Sequence, residues 1–197
     1  MDVSLSDGRI ELLALVAYIP EPLAGFVDGL RDELSPGCRL RAHITILPPR
    51  QIACGEEVAS REIQKVLSQA RSFRVSVQGI GVFPISEVIH LGIEDGLEQL
   101  RELHGQLNHG DCKAPELWRF EPHLTLAQDL EPAAVQPAFD LAVRRWREYS
   151  GPRSFALEHV TFVRRALGSK APENEESATE DCWLDLRTWD LPAAVLA

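Results

Sequence analysis

The chain has 197 residues, 45% of them apolar, with 20 Lys and Arg against 30 Asp and Glu and a formal net charge of -10. Such a content fills the core of one domain, 1–197, or of two tightly joined lobes, and excludes a disordered or fibrous chain. The acidic balance excludes a broad surface for long duplex nucleic acid, whose binding rests on Lys and Arg against phosphates, but allows a small anion in a local basic pocket.

The longest apolar run, Leu12 to Pro20, falls far short of the ~20 residues that span a bilayer. Asp2 and Asp7 precede it, where a signal peptide would be basic. The chain therefore reads as a soluble, cytoplasmic protein without membrane contact, expected as a monomer. Cys38, Cys54, Cys112 and Cys182 form no C-x-x-C pair, so neither a zinc ribbon nor a disulfide framework is indicated.

Glu11 to Pro20 predicts a buried strand. Glu21-Pro22-Leu23 opens a helix with Leu23, Phe26, Val27 and Leu30 on one face, ended by Pro36-Gly37. Next comes Arg41-Ala-His-Ile-Thr-Ile-Leu-Pro-Pro49, in which Ile44 and Ile46 alternate with His43 and Thr45. That is the period of a strand with one buried face, so the His and Thr point the same way; on a helix they would diverge by about 200°. Glu56 to Arg71 predicts a second helix. Phe73 to Phe83 alternates like a strand, with Gly79 and Gly81 marking a bulge or a close backbone approach.

The order then starts again: a strand from Glu87 to Ile93, a helix from Asp95 to Leu107, and a loop past Trp118 and Phe120. Glu121-Pro-His-Leu-Thr-Leu-Ala-Gln128 follows, with His123 and Thr125 eighty positions after His43 and Thr45. A helix from Glu131 to about Tyr149 and a strand from Phe155 to Arg164 complete the second copy. Ser72-Phe73 and Ser154-Phe155 begin the last strand of each copy at an offset of 82. The series predicts a duplicated α+β unit with pseudo-twofold symmetry, two lobes facing each other. The polar loop from Gly168 to Asp181 predicts a hairpin connection to a last strand, Cys182 to Trp189.

Two His side chains from symmetric lobes, each beside a Thr hydroxyl, suit phosphodiester chemistry. A neutral imidazole takes a proton from the attacking water or hydroxyl while an imidazolium protonates the leaving oxygen, and the Thr hydroxyls donate to the non-bridging oxygens. With a reference value near 6.5, both imidazole forms are expected at neutral pH. A metal site is the chemical rival, but two His without a matched carboxylate or thiolate fall short of the three protein ligands of a catalytic zinc. A serine triad lacks its G-x-S-x-G elbow. His159-Val-Thr-Phe162 repeats the pattern, but the Ser-Phe alignment sets His159 opposite Val77, so it reads as structural or surface. His90, His104 and His109 lack the Thr.

The paired motifs His43-Ile-Thr-Ile46 and His123-Leu-Thr-Leu126, with Pro48-Pro49 after the first and Phe120-Glu-Pro122 before the second, resemble the two-histidine (2H) phosphoesterase superfamily, nearest its 2′-5′ RNA ligase-like and cyclic phosphodiesterase branch. The resemblance spans nearly the whole chain. It implies a bilobal α+β fold with antiparallel sheets lining a central cleft, no metal and no cofactor, and His43, Thr45, His123 and Thr125 as the active quartet. It also implies small substrates: 2′,3′-cyclic phosphates, 2′-5′ linkages, or phosphodiesters at RNA ends. Gln128 stands where many relatives carry a basic residue, which leaves phosphate recruitment to Arg41, Arg50 or Arg119. A catalytically silent nucleotide-binding or protein-interaction module is the alternative, and the two intact quartets favour the enzyme.

Overall fold

Residues 10–36, 40–52, 54–167 and 183–193 are described by a computed structural model. The expected hairpin connection from Gly168 to Asp181, with Cys38 and Cys182, lies outside them; Cys54 and Cys112 are free thiols.

The elements run β1 (Ile10–Tyr18), α1 (Leu23–Leu34), β2 (His43–Arg50), α2 (Glu56–Leu67), β3 (Phe73–Val82), β4 (Ile89–Ile93), α3 (Leu97–Leu107), β5 (His123–Ala127), α4 (Pro132–Glu148), β6 (Ser154–Leu157), β7 (His159–Leu167) and β8 (Trp183–Asp190). They form two antiparallel four-stranded sheets, β2-β1-β7-β8 and β5-β4-β3-β6. No helix among the described residues is long and apolar enough to cross a membrane.

The duplication appears with an exchange. The last strand of each half joins the sheet of the other: β3 pairs with β4, and β7 pairs with β1. One strand was expected from Phe155 to Arg164, but the chain changes partner at Glu158, so β6 pairs with β3 and β7 with β1. The pairs Phe73↔Leu157 and Val75↔Phe155 exchange under the 82-residue offset, which places the pseudo-twofold axis through this β3–β6 pairing. Helix α2 stops at Leu67 rather than Arg71, its end tightened by short-range bonds from Gln69 to Val66 and Ala70 to Leu67.

As outer strands, β2 and β5 lie beside each other and so bring the two motifs together. Strand β2 tolerates Pro48 and Pro49 because one side carries no ladder partner. Ile44, Ile46, Leu124 and Leu126 enter a single apolar core shared by both sheets and the helices, which leaves His43, Thr45, His123 and Thr125 on the opposite, partly open faces.

Helix packing is crossed: α1 lies against β5 and α4, and α3 against β2 and α2. A buried polar side chain completes each crossing. Arg31 of α1 donates from Nε to the Thr125 carbonyl at 2.7 Å and from Nη1 to the Leu40 carbonyl at 2.9 Å. His104 of α3 donates from Nδ1 to the Ile46 carbonyl at 2.7 Å, lies 3.0 Å from Glu116 through Nε2 and stacks on Phe120 at 3.8 Å.

Arg50 belongs to this framework and not to the open face. It is 6% exposed and donates to the carbonyls of Pro48 and Cys112, to Asn108 Oδ1 at 2.6 Å and to Glu116 Oε1 at 3.2 Å. These bonds tie the end of β2 to the loop that delivers β5. Truncation leaves those acceptors unpaired, each buried one costing about 1–3 kcal/mol. Arg50→Met is therefore expected to lower the urea midpoint of unfolding without changing the slope, and an unchanged midpoint would contradict this role.

Candidate functional site

Strand β1 flanks β2 with Tyr18 opposite His43 and Val16 opposite Thr45. Strand β4 flanks β5 in the same register, with Gly92 opposite His123 and His90 opposite Thr125. His43 Nδ1 lies 2.7 Å from the Arg41 carbonyl, and His123 Nδ1 lies 2.7 Å from the Glu121 carbonyl. A carbonyl only accepts, so each Nδ1 carries the hydrogen and each neutral ring presents Nε2 as a proton acceptor. The same i−2 bond in both motifs fixes tautomer and ring orientation together.

The cleft between the sheets holds a cavity of about 390 Å³ that takes in His43, Thr45 and Thr125. Its basic groups are Arg31, Arg41 and Arg165, and Gln128 sits at its edge. Ala14, Val16 and Val163 form a small apolar cluster on its β1–β7 side, with Tyr18 and Trp183 packed against it. Arg41 is exposed; its guanidinium lies 3.7 Å from the Tyr18 ring centre and donates to Asp185 at 3.2 Å, while the Tyr18 hydroxyl donates to the same carboxylate. Arg119 is exposed on the loop before β5 and does not line this cavity.

Burial governs the imidazoles. His43 is lowered from 6.5 to about 4, first by desolvation and further by the charges of Arg31 and His123, against the opposing bond to the Arg41 carbonyl. Desolvation likewise lowers His123, with His90 adding to it and the Glu121 carbonyl opposing. The charge of His123 is the smallest of the causes acting on His43, whose strand lies beside that of His123. Both rings are neutral in the free protein at neutral pH, which corrects the expectation that both forms coexist there. An anionic phosphate between them would oppose that lowering, because a negative charge favours the imidazolium.

His159, the third copy of the pattern, is exposed on β7 with Nδ1 2.9 Å from Asp190, and Thr161 is buried against the Thr188 hydroxyl at 3.0 Å. Neither lines the cavity.

Arg31, Tyr18 and His90 were missed from the sequence. Arg31 stands on the apolar stripe of α1 with Val27, Leu30 and Leu34, and an arginine there signals a buried polar partner. His90 alternates with Ile89, Leu91 and Ile93 and so shares the face of the His-x-Thr strands. Among the described residues no three His, Cys, Asp or Glu side chains are grouped so as to hold a metal ion.

Comparison with known proteins bears on the family and the fold. The model of the 2′-5′ RNA ligase superfamily matches residues 19–169. A protein of Oceanobacillus iheyensis named as a phosphoesterase is 31% identical over 109 residues, a match that spans 53% of this chain and 62% of that relative. Among solved structures, E. coli LigT in its apo form aligns with a TM-score of 0.64 at 16% identity, covering 94% of this chain and 99% of that one. The same E. coli protein complexed with 3′-AMP aligns at 0.60 and 16% identity, over 93% and 99% of the two chains.

A folded value below the unfolded one makes acid destabilising: as pH falls from 6.5 towards about 4 the unfolded chain binds a proton that folded His43 refuses. NMR titration of the free protein should show His43 with a midpoint near 4, moving up when inorganic phosphate is added. A midpoint of 6.5 that phosphate leaves unmoved would refute a desolvated anion site.

Proposed function

Since the chain belongs to the 2′-5′ RNA ligase superfamily, we propose that it is a two-histidine phosphodiesterase acting on 2′,3′-cyclic phosphates or 2′-5′ linkages of nucleotides or RNA ends, without a metal or other cofactor. The observation that carries this reading is the matched pair of Nδ1–carbonyl bonds, which presents two Nε2 acceptors from facing strands.

The chemistry follows from the placement. A phosphodiester bound beside Thr45 and Thr125 brings the negative charge that lets one imidazole take a proton. The other, still neutral, withdraws the proton of the attacking water or hydroxyl through Nε2 as the imidazolium donates to the leaving oxygen. The Thr hydroxyls donate to the non-bridging oxygens, where charge accumulates in the transition state. At the end of one turnover the proton sits on the opposite ring, and the same displacement would join two nucleotides only where a free hydroxyl can take the place of water.

The cavity supports a small substrate. Arg31, Arg41 and Arg165 supply positive charge, while Tyr18, Trp183 and the apolar cluster of Ala14, Val16 and Val163 offer a surface for a sugar or base. E. coli LigT, which shares the fold, has been solved with phosphate and with 3′-AMP. A net charge of -10 repels a long polyanion over most of the surface. We place the protein in the cytoplasm as a monomer.

Removing either His abolishes one of two proton transfers, each worth about 10²- to 10⁴-fold. His43→Ala and His123→Ala should each lose that much in turnover of a 2′,3′-cyclic nucleotide, read as monophosphate by chromatography. Thr45→Val or Thr125→Val should cost up to ~10²- to 10³-fold, and Thr161→Val nothing. The unsubstituted protein should keep its activity in a chelator. Binding without turnover across cyclic and 2′-5′ substrates would favour a silent binding module instead.

A further inference from the structure

The two sides of the paired motifs are not alike. On the β1 side, Val16 stands opposite Thr45 and leaves the cavity open. The equivalent position on the β4 side is His90, opposite Thr125. Its ring stacks on Phe83 with centres 4.0 Å apart and planes at 15°, and meets His123 edge-on at 5.4 Å. Phe83 itself meets His123 edge-on at 4.9 Å. A weak bond from Nδ1 to the Val88 carbonyl, 3.3 Å long, holds the ring down. Gly81, across the ladder, makes the arrangement possible, since a Cβ there would fall 3.0 Å from both Cε1 and Nε2 of His90. No residue of β3 or β4 lines the cavity, and neither does His123.

We propose that His90, backed by Phe83, is a specificity-determining residue that closes the β4 side of His123, so that the group attacking phosphorus there is no larger than water. The inference rests on the phosphodiesterase reading above and decides between its two directions. The sugar and base of a cyclic nucleotide fit only the open β1 side, so the leaving ribose oxygen lies near His43. In-line displacement then brings the nucleophile from the His123 side. Water gives its proton to His123 as its oxygen bonds to phosphorus, the bond from phosphorus to the ribose oxygen breaks, and that oxygen takes a proton from His43. A nucleoside hydroxyl, which ligation requires, has no room beside the Phe83–His90 stack. The chain is therefore a hydrolase.

The test is the partition of products when 2′,3′-cyclic AMP is turned over in water containing methanol or, separately, glycerol, read by ³¹P NMR as monophosphate against alkyl phosphodiester. The unsubstituted protein should give monophosphate, with little methyl ester and no glyceryl ester. His90→Ala should still hydrolyse and should also form the glyceryl ester, since a pocket contact of this size is worth about 10- to 200-fold in discrimination. His90→Phe, which keeps the planar ring and the stack, should restore exclusion. Equal partition in the unsubstituted protein and His90→Ala, or glyceryl ester formed by the unsubstituted protein as readily as methyl ester, would overturn the role of His90 and leave the phosphodiesterase standing. Absence of any turnover in the unsubstituted protein would overturn both.

Discussion

The site depends on two outer strands being held side by side although neither completes the other's sheet. Strands β2 and β5 meet because each half sends a helix across the motif strand of the other, with a buried polar group at each crossing: Arg31 on the Thr125 carbonyl, His104 on the Ile46 carbonyl. Both carbonyls belong to the motif strands. The bonds that join the lobes therefore also set the spacing of the histidines, and a helix shift that broke one would leave a buried carbonyl unpaired and move a motif imidazole. Exchange of β3 and β7 between halves reinforces the arrangement, since neither sheet is complete without a strand from the other half.

Burial at that junction has an electrostatic consequence. Desolvation, with the charges of Arg31 and His123 added to it, lowers His43 to about 4, while Asp28 lies 3.6 Å from Arg31. A phosphodiester bound beside the rings would add a negative charge, which favours the imidazolium. In the proposed reaction binding and activation are one event: the anion that fills the site also makes a proton donor available. Arg50 contributes nothing direct to this, because Glu116 and three further acceptors occupy its guanidinium.

The strand period made the motifs legible, since alternation of Ile44 and Ile46 with His43 and Thr45 fixes which face is polar before any tertiary contact is known. The duplication was legible for the same reason, and the Ser-Phe alignment matches the axis through β3 and β6. Which half each third strand joins was not, because identical alternation serves either sheet. Arg50 illustrates the limit: Arg41 and Arg50 both flank the first motif, yet one is exposed and the other buried beneath a loop that arrives sixty residues later. His90 is not legible as a site residue from its own strand, because the Thr beside it is Thr125 on the neighbouring strand.

The most direct test of the central claim, that facing strands hold one phosphate between two tautomer-matched imidazoles, is a crystal structure of the chain with 3′-AMP. Phosphate oxygens are expected within hydrogen-bond distance of Nε2 of both His43 and His123, with the Thr45 and Thr125 hydroxyls on the same group. A phosphate held by Arg41 or Arg165 alone, out of reach of either imidazole, would contradict it.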